Sequence, residues 1–281
     1  MSTSQHISIL GAGLMGRSIA VEFAVHGFTV DLVTRRHEDS FPLIKSQMAK
    51  VIEKFYPEKA EAITAAIHVT SDHTSFKDSV LILESVVEDL AEKHHLMELI
   101  RDEVPEETLV ASNTSSLSIG AIFADFPHPE RCFGMHFFNP VQVMKLVELS
   151  HTPLTSPETL QRAKALIAAV EKEEVLVKDS PGFIVNRLLF PLINEAAKMV
   201  EDGIASIDDI DKAMKLGANH PIGPFKLSDI VGTDITLHIL EQLEKADVLD
   251  ERPITSTIKT MVDDNKLGRK TGIGFYDYTK K

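Results

Sequence analysis

The run Gly11-Ala12-Gly13-Leu14-Met15-Gly16 places three glycines at the spacing that cradles a pyrophosphate. Each glycine has its own task. Gly11 permits a tight turn, Gly13 lets a phosphate approach the backbone, and Gly16 lets a helix pack closely on a strand. The apolar run Ile7–Leu10 leads into the motif and a helical pattern leads out of it. That strand–turn–helix context makes the glycines a dinucleotide site, with the helix N-terminus facing the anion. Leu14 and Met15 lie inside the motif and are counted with it as cofactor-binding positions.

The end of the second strand should separate NAD from NADP. A carboxylate there binds the ribose hydroxyls, whereas arginines accommodate a 2′-phosphate. Asp31 lies about 20 residues beyond Gly11, as the NAD pattern asks. Ligands, however, bind beyond the carboxyl ends of strands, and Asp31 falls about 10 Å short of Thr34 at a rise of roughly 3.3 Å per residue. The tip itself is Thr34-Arg35-Arg36, without a carboxylate. It favours NADP(H) over NAD(H); the alternative is that both arginines are solvated loop charges.

The elements that must position these groups alternate between short β-rich runs and amphipathic stretches. Strands are predicted at Ile7–Leu10, Thr29–Val33, Ile67–Thr70, Val80–Leu83, Leu109–Ala111, Cys132–Phe137, Lys145–Leu149 and Val175–Lys178. Helices are predicted at Leu14–Val25, His37–Phe55, Leu90–Glu103 and Pro157–Val170. The alternation implies βαβ units and a mostly parallel sheet, with part of it antiparallel where the late strands follow on short links. Near Asp179-Ser180-Pro181-Gly182 the pattern changes. Helical spacing then covers Phe183–Asp202, Ser206–Leu216 and Ser228–Lys245, with one further strand expected at Gly274–Tyr278. The expected fold is α/β: a Rossmann-like domain over residues 1–182, followed by an all-α domain over residues 183–281.

Composition narrows the function classes. The 281 residues suffice for about two domains at roughly 150 residues each. Against 29 basic residues stand 42 acidic ones, a net charge of −13, which argues against nucleic acid and acidic membranes as partners. Cys132 is the only cysteine, so neither an internal disulfide nor a cysteine-rich zinc site is available. The first residues lack the basic start of a signal peptide and no apolar run reaches membrane-spanning length. A cytoplasmic protein is the expectation.

Further strings converge on one family. They are Ala111-Ser112-Asn113-Thr114-Ser115-Ser116-Leu117, His136-Phe137-Phe138-Asn139-Pro140, Met144-Lys145-Leu146-Val147-Glu148 and Pro181-Gly182-Phe183-Ile184-Val185-Asn186-Arg187. Gly217-Ala218-Asn219-His220-Pro221 and Gly268-Arg269-Lys270-Thr271-Gly272 follow. With the glycine loop, these closely resemble the 3-hydroxyacyl-CoA dehydrogenase family, in its order and near its spacings, over essentially the whole chain. The short bacterial 3-hydroxybutyryl-CoA dehydrogenase type is the nearest match.

The resemblance implies interconversion of (S)-3-hydroxyacyl-CoA and 3-ketoacyl-CoA with NAD(H) or NADP(H), in short-chain acid metabolism or β-oxidation. It also implies a homodimer formed through the helical domain, and a substrate cleft. By this resemblance His136 is the catalytic histidine and Glu148 its carboxylate partner. Ser115 and Asn186 are active-site residues that meet substrate. Glu88, Lys93, Asn113 and Asn139 contact the cofactor, and Lys50 and Lys54 meet CoA. Thr34 departs from the family, since relatives that use NAD carry an acidic residue there.

The chemistry suits these types. Oxidising a secondary alcohol removes a hydroxyl proton as hydride leaves carbon, and an imidazole of pKa about 6.5 is a fitting base. A carboxylate on its other nitrogen fixes the tautomer and stabilises the imidazolium. The Asn139-Pro140 turn signal between His136 and Glu148 allows a strand–turn–strand path joining them. Ser115 can hydrogen-bond the reacting oxygen, and Asn186 offers both a donor and an acceptor. Lys50 and Lys54, four residues apart, share a helix face; they either meet the CoA phosphates or form a solvated face. Lys270 is a further candidate near the cofactor. The other histidines, His73 among them, form no coherent metal-ligand set. Two rival functions are a dehydrogenase of a free hydroxy acid and a non-catalytic dinucleotide-binding protein. The lysine pair argues against the first, and the four polar site residues together argue against the second.

Overall fold

The computed structural model describes residues 5–72, 76–249 and 253–279, so His73 lies outside the described residues. Two compact units divide the chain, Met1–Ser180 and Pro181–Lys281.

The first unit is built on an eight-stranded sheet. Its strands are β1 (His6–Leu10), β2 (Thr29–Val33), β3 (Ile67–Thr70), β4 (Ser79–Glu84), β5 (Leu109–Ser112), β6 (Cys132–Phe137), β7 (Leu146–His151) and β8 (Glu173–Lys178), in the order β3-β2-β1-β4-β5-β6-β7-β8. The first six strands run parallel. β7 lies antiparallel to β6, and β8 lies parallel to β7. The central strands β1 and β4 are almost continuously apolar and buried, as strands covered on both faces must be. The helices are α1 (Leu14–Val25), α2 (Phe41–Phe55), α3 (Ala60–Ala66), α4 (Leu90–Ile100), α5 (Ile119–Ile122) and α6 (Pro157–Ala169). Ile19 and Phe23 of α1, Ile44 and Met48 of α2, Ile63 of α3 and Leu166 of α6 join Ile7, Ile9 and Leu32 in one core.

This topology fixes the site. From β1 the sheet grows in both directions, to β2 and to β4, which makes a switch point. Ligands bind in the crevice outside the carboxyl ends of strands at such a point. Register brings those ends level: Leu10 faces both Val33 and Glu84, and Glu84 faces Ser112.

Some helix bounds differ from the sequence expectation. The stretch expected as one helix over His37–Phe55 is a single turn of 3-10 helix, Glu38–Ser40, followed by α2. Pro42 stands in the first turn of α2, where its missing N–H costs nothing. α4 stops at Ile100 rather than Glu103, in turns that lead to Pro105. α3 was not expected; its only buried residue, Ile63, leaves no periodic signal.

The second unit is helical: α7 (Val185–Glu201), α8 (Ile207–Gly217), α9 (Pro224–Val231), α10 (Thr233–Lys245) and α11 (Ser256–Asp263). Phe190, Ile193, Ala197, Phe225, Leu240, Leu243 and Ile258 form its core. The helix expected over Ser228–Lys245 is two helices, broken at Gly232, whose φ of +112° is outside the helical range. The strand expected at Gly274–Tyr278 is replaced by two isolated bridges, Gly268 to Ile273 and Ile273 to Asp277. The donors of that segment serve a carboxylate instead of a ladder. Buried Asp229 accepts from the Phe275 N–H at 2.8 Å, the Tyr276 N–H at 2.9 Å and the Tyr278 hydroxyl at 3.1 Å. Among the described residues no helix is long and apolar enough to cross a membrane.

Candidate active site

The glycine loop is shaped by close backbone approach. A Cβ on Gly16 would lie 1.8 Å from the Gly11 carbonyl oxygen, and one on Gly11 would lie 2.4 Å from the Ser85 carbonyl oxygen. Gly13 differs, since its nearest neighbour would be 4.0 Å away. The space over Gly13 is therefore open on the side where α1 begins, and no side chain caps the first N–H groups of that helix. An open, uncapped helix start is the form that a pyrophosphate fits. The loop is joined to the end of β2, because the Gly11 N–H donates to the Val33 carbonyl at 2.8 Å.

At that end Thr34 is buried, while Arg35 and Arg36 are exposed. The Thr34 hydroxyl accepts the Arg36 N–H at 3.2 Å and turns the chain. Arg35 pairs with Glu92 at 2.6 Å. Asp31 is engaged elsewhere, 3.2 Å from His6 Nε2 and 3.3 Å from His68 Nδ1. Burial pushes its carboxyl up, but the two histidines outweigh this and hold it below the usual value. It stands beside β1 and β3 rather than at the strand tip.

On the other side of the switch point lie the groups suited to proton transfer. His136 and Glu148 face each other directly across β6 and β7. His136 Nδ1 is 2.8 Å from Glu148 Oε2, and both side chains are buried. An ionised carboxylate can only accept, so Nδ1 carries the proton of this hydrogen bond. The Phe138 ring packs 4.5 Å from the imidazole, centroid to centroid. Asn113 ties two strand ends together: its N–H donates to the Glu84 carbonyl at 2.8 Å and its Oδ1 accepts the Phe137 N–H at 2.9 Å. Asn139 is exposed in the turn after β6.

Glu88 organises the loop that carries Ser115. One of its oxygens, Oε1, accepts from the Thr114 hydroxyl at 2.7 Å, the Ser115 N–H at 2.8 Å, the Ser116 N–H at 2.9 Å, the Ser116 hydroxyl at 2.9 Å and the Ser115 hydroxyl at 3.2 Å. Burial raises its pKa, but the Lys93 charge and these donors more than offset that, so it stays ionised below the ordinary range. Lys93 is only 1% exposed. Its ammonium lies 2.7 Å from Glu84 and 3.4 Å from Glu88. It therefore holds two carboxylates together. Glu84, at 0% exposure, also accepts from the Ser112 hydroxyl at 2.5 Å and the Val86 N–H at 2.6 Å.

The remaining predicted residues lie on α2 and in the helical unit. Lys50 and Lys54 are exposed on α2, and Lys54 lies over the Phe55 ring. Asn186 is buried in the first turn of α7, in the helical unit. Lys270 pairs with Asp234 in the same unit. Two residues of the site escaped the sequence reading. Arg17 donates to the Ala12 carbonyl at 2.6 Å, and its signal was a cation directly after the glycine motif. Glu84 left a signal too, a carboxylate ending an otherwise apolar strand. Among the described residues no group of three or more His, Cys, Asp or Glu side chains could hold a metal ion.

Known proteins match this arrangement along the whole chain. Residues 6–180 match the family described as 3-hydroxyacyl-CoA dehydrogenase, NAD binding domain, and residues 182–278 match its C-terminal domain. A 3-hydroxybutyryl-CoA dehydrogenase of Clostridioides difficile is 41% identical over 98% of this chain and 99% of its own. The mitochondrial hydroxyacyl-coenzyme A dehydrogenase of Homo sapiens is also 41% identical, over 98% of this chain and 91% of its own. The crystal structure of (S)-3-hydroxybutyryl-CoA dehydrogenase from Ralstonia eutropha superposes with a TM-score of 0.88 at 37% identity, covering 99% of this chain and 100% of that one. With a dinucleotide loop, a buried imidazole–carboxylate pair and this match in both units, the chain belongs to the 3-hydroxyacyl-CoA dehydrogenase family.

Proposed function

We propose that this dehydrogenase interconverts (S)-3-hydroxybutyryl-CoA and acetoacetyl-CoA, with NADP(H) favoured over NAD(H). The observation that carries the reading is the 2.8 Å contact between buried His136 and Glu148. The nicotinamide, when bound, takes hydride from the substrate carbon or returns it. His136 Nε2 removes the hydroxyl proton as that hydride leaves, and donates it back in reduction. Glu148 keeps the proton on Nδ1 and balances the charge that the ring gains. The Ser115 hydroxyl, which donates to Glu88 at 3.2 Å, turns its proton to the reacting oxygen when substrate binds. Asn186 contributes an amide toward substrate. Lys50 and Lys54 offer two exposed ammonium groups on one helix face to the CoA phosphates. Gly11 to Gly16, with Thr34, Arg35 and Arg36, bind the adenosine half of the cofactor, and Asn113 and Asn139 contact the cofactor as well.

We further propose a homodimer formed through the helical unit. A cavity of about 520 Å³ opens along α7, lined by Leu188, Leu192, Met199, Met214 and Leu249. Leu188 and Leu216 are 69% and 76% exposed, an apolar surface that a second copy would cover.

The test follows absorbance at 340 nm with acetoacetyl-CoA, using NADPH and NADH in parallel, for the wild type and His136→Gln. Turnover by the wild type with a higher kcat/KM for NADPH is expected, and none by the variant although it still binds cofactor. Near-normal turnover by the variant would remove His136 from the mechanism. A higher value for NADH would reverse the cofactor preference, and equal rates with free acetoacetate would remove CoA from the recognition.

A further inference from the structure

The end of β2 and the glycine loop are one surface. The Gly11 N–H holds the Val33 carbonyl at 2.8 Å, so the Thr34–Arg36 turn begins beside Gly11 and Ala12. Arg17 reaches the same edge from α1, with Nη1 donating to the Ala12 carbonyl at 2.6 Å.

Arg17 sits in an unfavourable place for a cation. It is the fourth residue of α1, at the end where the helix dipole repels positive charge, and no acidic residue in that first turn compensates it. Its guanidinium and the Thr34–Arg36 turn are tied to the same loop, at Ala12 and at Gly11, and partial burial, and then the charge of Arg36, hold its pKa below the ordinary value. Arg35 is matched by Glu92. Among the described residues neither Arg17 nor Arg36 forms an ion pair with a carboxylate, and the whole chain has an excess of acidic residues with which to supply one. Two neighbouring guanidinium groups without a counter-charge, at the mouth of a nucleotide loop, form a receptor for a dianion. The group that reaches this edge from an adenosine ribose is a 2′-phosphate.

We propose that Arg17 and Arg36 together read the 2′-phosphate of NADP(H), with Arg17 as a specificity-determining residue. The inference rests on the NADP(H) preference proposed above and assigns its basis. Arg17 clamps the phosphate from the α1 side and Arg36 from the β2 side. Filling the site relieves the repulsion between them, so the same two charges that disfavour the vacant edge favour the phosphorylated ribose.

The experiment is calorimetric titration of the full-length protein with NADP⁺, NAD⁺, adenosine 2′,5′-bisphosphate and 5′-AMP, at low and high salt. For Arg17→Gln, NADP⁺ and the bisphosphate should bind about ten- to hundredfold more weakly, the range for a lost hydrogen bond to a charged group. NAD⁺ and 5′-AMP should change by less than about threefold, because neither carries the 2′-phosphate. The salt dependence of bisphosphate binding should also become shallower. Equal losses for NAD⁺ and NADP⁺ would make Arg17 a structural tie to Ala12 and overturn the proposal, as would no loss for either. Arg36→Gln, on an exposed turn, repeats the test should Arg17→Gln fail to fold, and an unselective result there also overturns it. The wild-type ratio of NADP⁺ to NAD⁺ affinity judges the cofactor preference. The change of that ratio in the variants judges the arginine pair, so the two ideas can fail separately.

Discussion

A carboxylate against an imidazole does two things for a dehydrogenase: it sets which nitrogen is basic, and it shares the charge of the protonated ring. Glu148→Gln separates them. A glutamine carbonyl can still accept from Nδ1 at the 2.8 Å spacing, so geometry survives while the counter-charge is lost. We expect kcat to fall by about 10²–10⁴, the usual range for impaired acid–base catalysis, with little change in KM. Steady-state kinetics with acetoacetyl-CoA measure both, and unchanged kinetics would reject the pair. At this scale much was legible. Glu148 lies 12 residues beyond His136 with a turn signal between them, and antiparallel register does the rest. Arg17 and Glu84 left only a charge in an unusual place, after the glycine motif and at the end of an apolar strand. Their side chains matter through the carbonyls and ammonium groups they meet in space, which residue type does not reveal.

The elements carry the site through backbone contact as much as through side chains. Gly13 and Gly16 make opposite demands within one loop. A methyl group on Gly16 would sit 1.8 Å from backbone, whereas one on Gly13 has nothing closer than 4.0 Å in the protein itself. Gly16→Ala should therefore cost about 1–3 kcal/mol or more of stability, as forced overpacking does, and lose cofactor with it. Gly13→Ala should keep its melting temperature and lose cofactor alone, since its methyl group enters the space over which a phosphate lies. Thermal unfolding paired with NADPH fluorescence titration separates the two, and equal melting points would remove the packing argument. The strands that hold this loop were legible because β1 and β4 are buried runs of apolar residues. The failures are local and share a cause. Gly232 breaks a helix whose apolar period continues across it, and Asp229 holds the segment Phe275–Tyr278 by side-chain hydrogen bonds that mimic strand pairing in sequence. Periodicity reports burial, and it does not report which group satisfies a backbone donor.

At the scale of the whole molecule, association through the helical unit sets net charge against apolar surface. A net charge of −13 keeps copies apart at long range, so association needs an apolar surface large enough to outweigh repulsion. The helical unit has apolar surface along α7, where Leu188 is 69% exposed and lines the cavity. If two copies meet there about a two-fold axis, one substitution enters the interface twice. Leu188→Glu would place two carboxylates against apolar surface and against an already negative partner. A cost of about 1.5 kcal/mol per copy weakens the dimer by roughly a hundredfold. Leu154→Glu is the matching control, because Leu154 is 64% exposed, belongs to the first unit and is not among the residues that line the cavity. Light scattering coupled to gel filtration at micromolar protein should give a dimer mass for the wild type and for Leu154→Glu, and a monomer mass for Leu188→Glu. High salt should restore part of the variant's association by screening the added charge, which a misfolded monomer would not show. A wild-type monomer, or a Leu188→Glu dimer of undiminished affinity, would mean that this apolar face serves something other than a second copy.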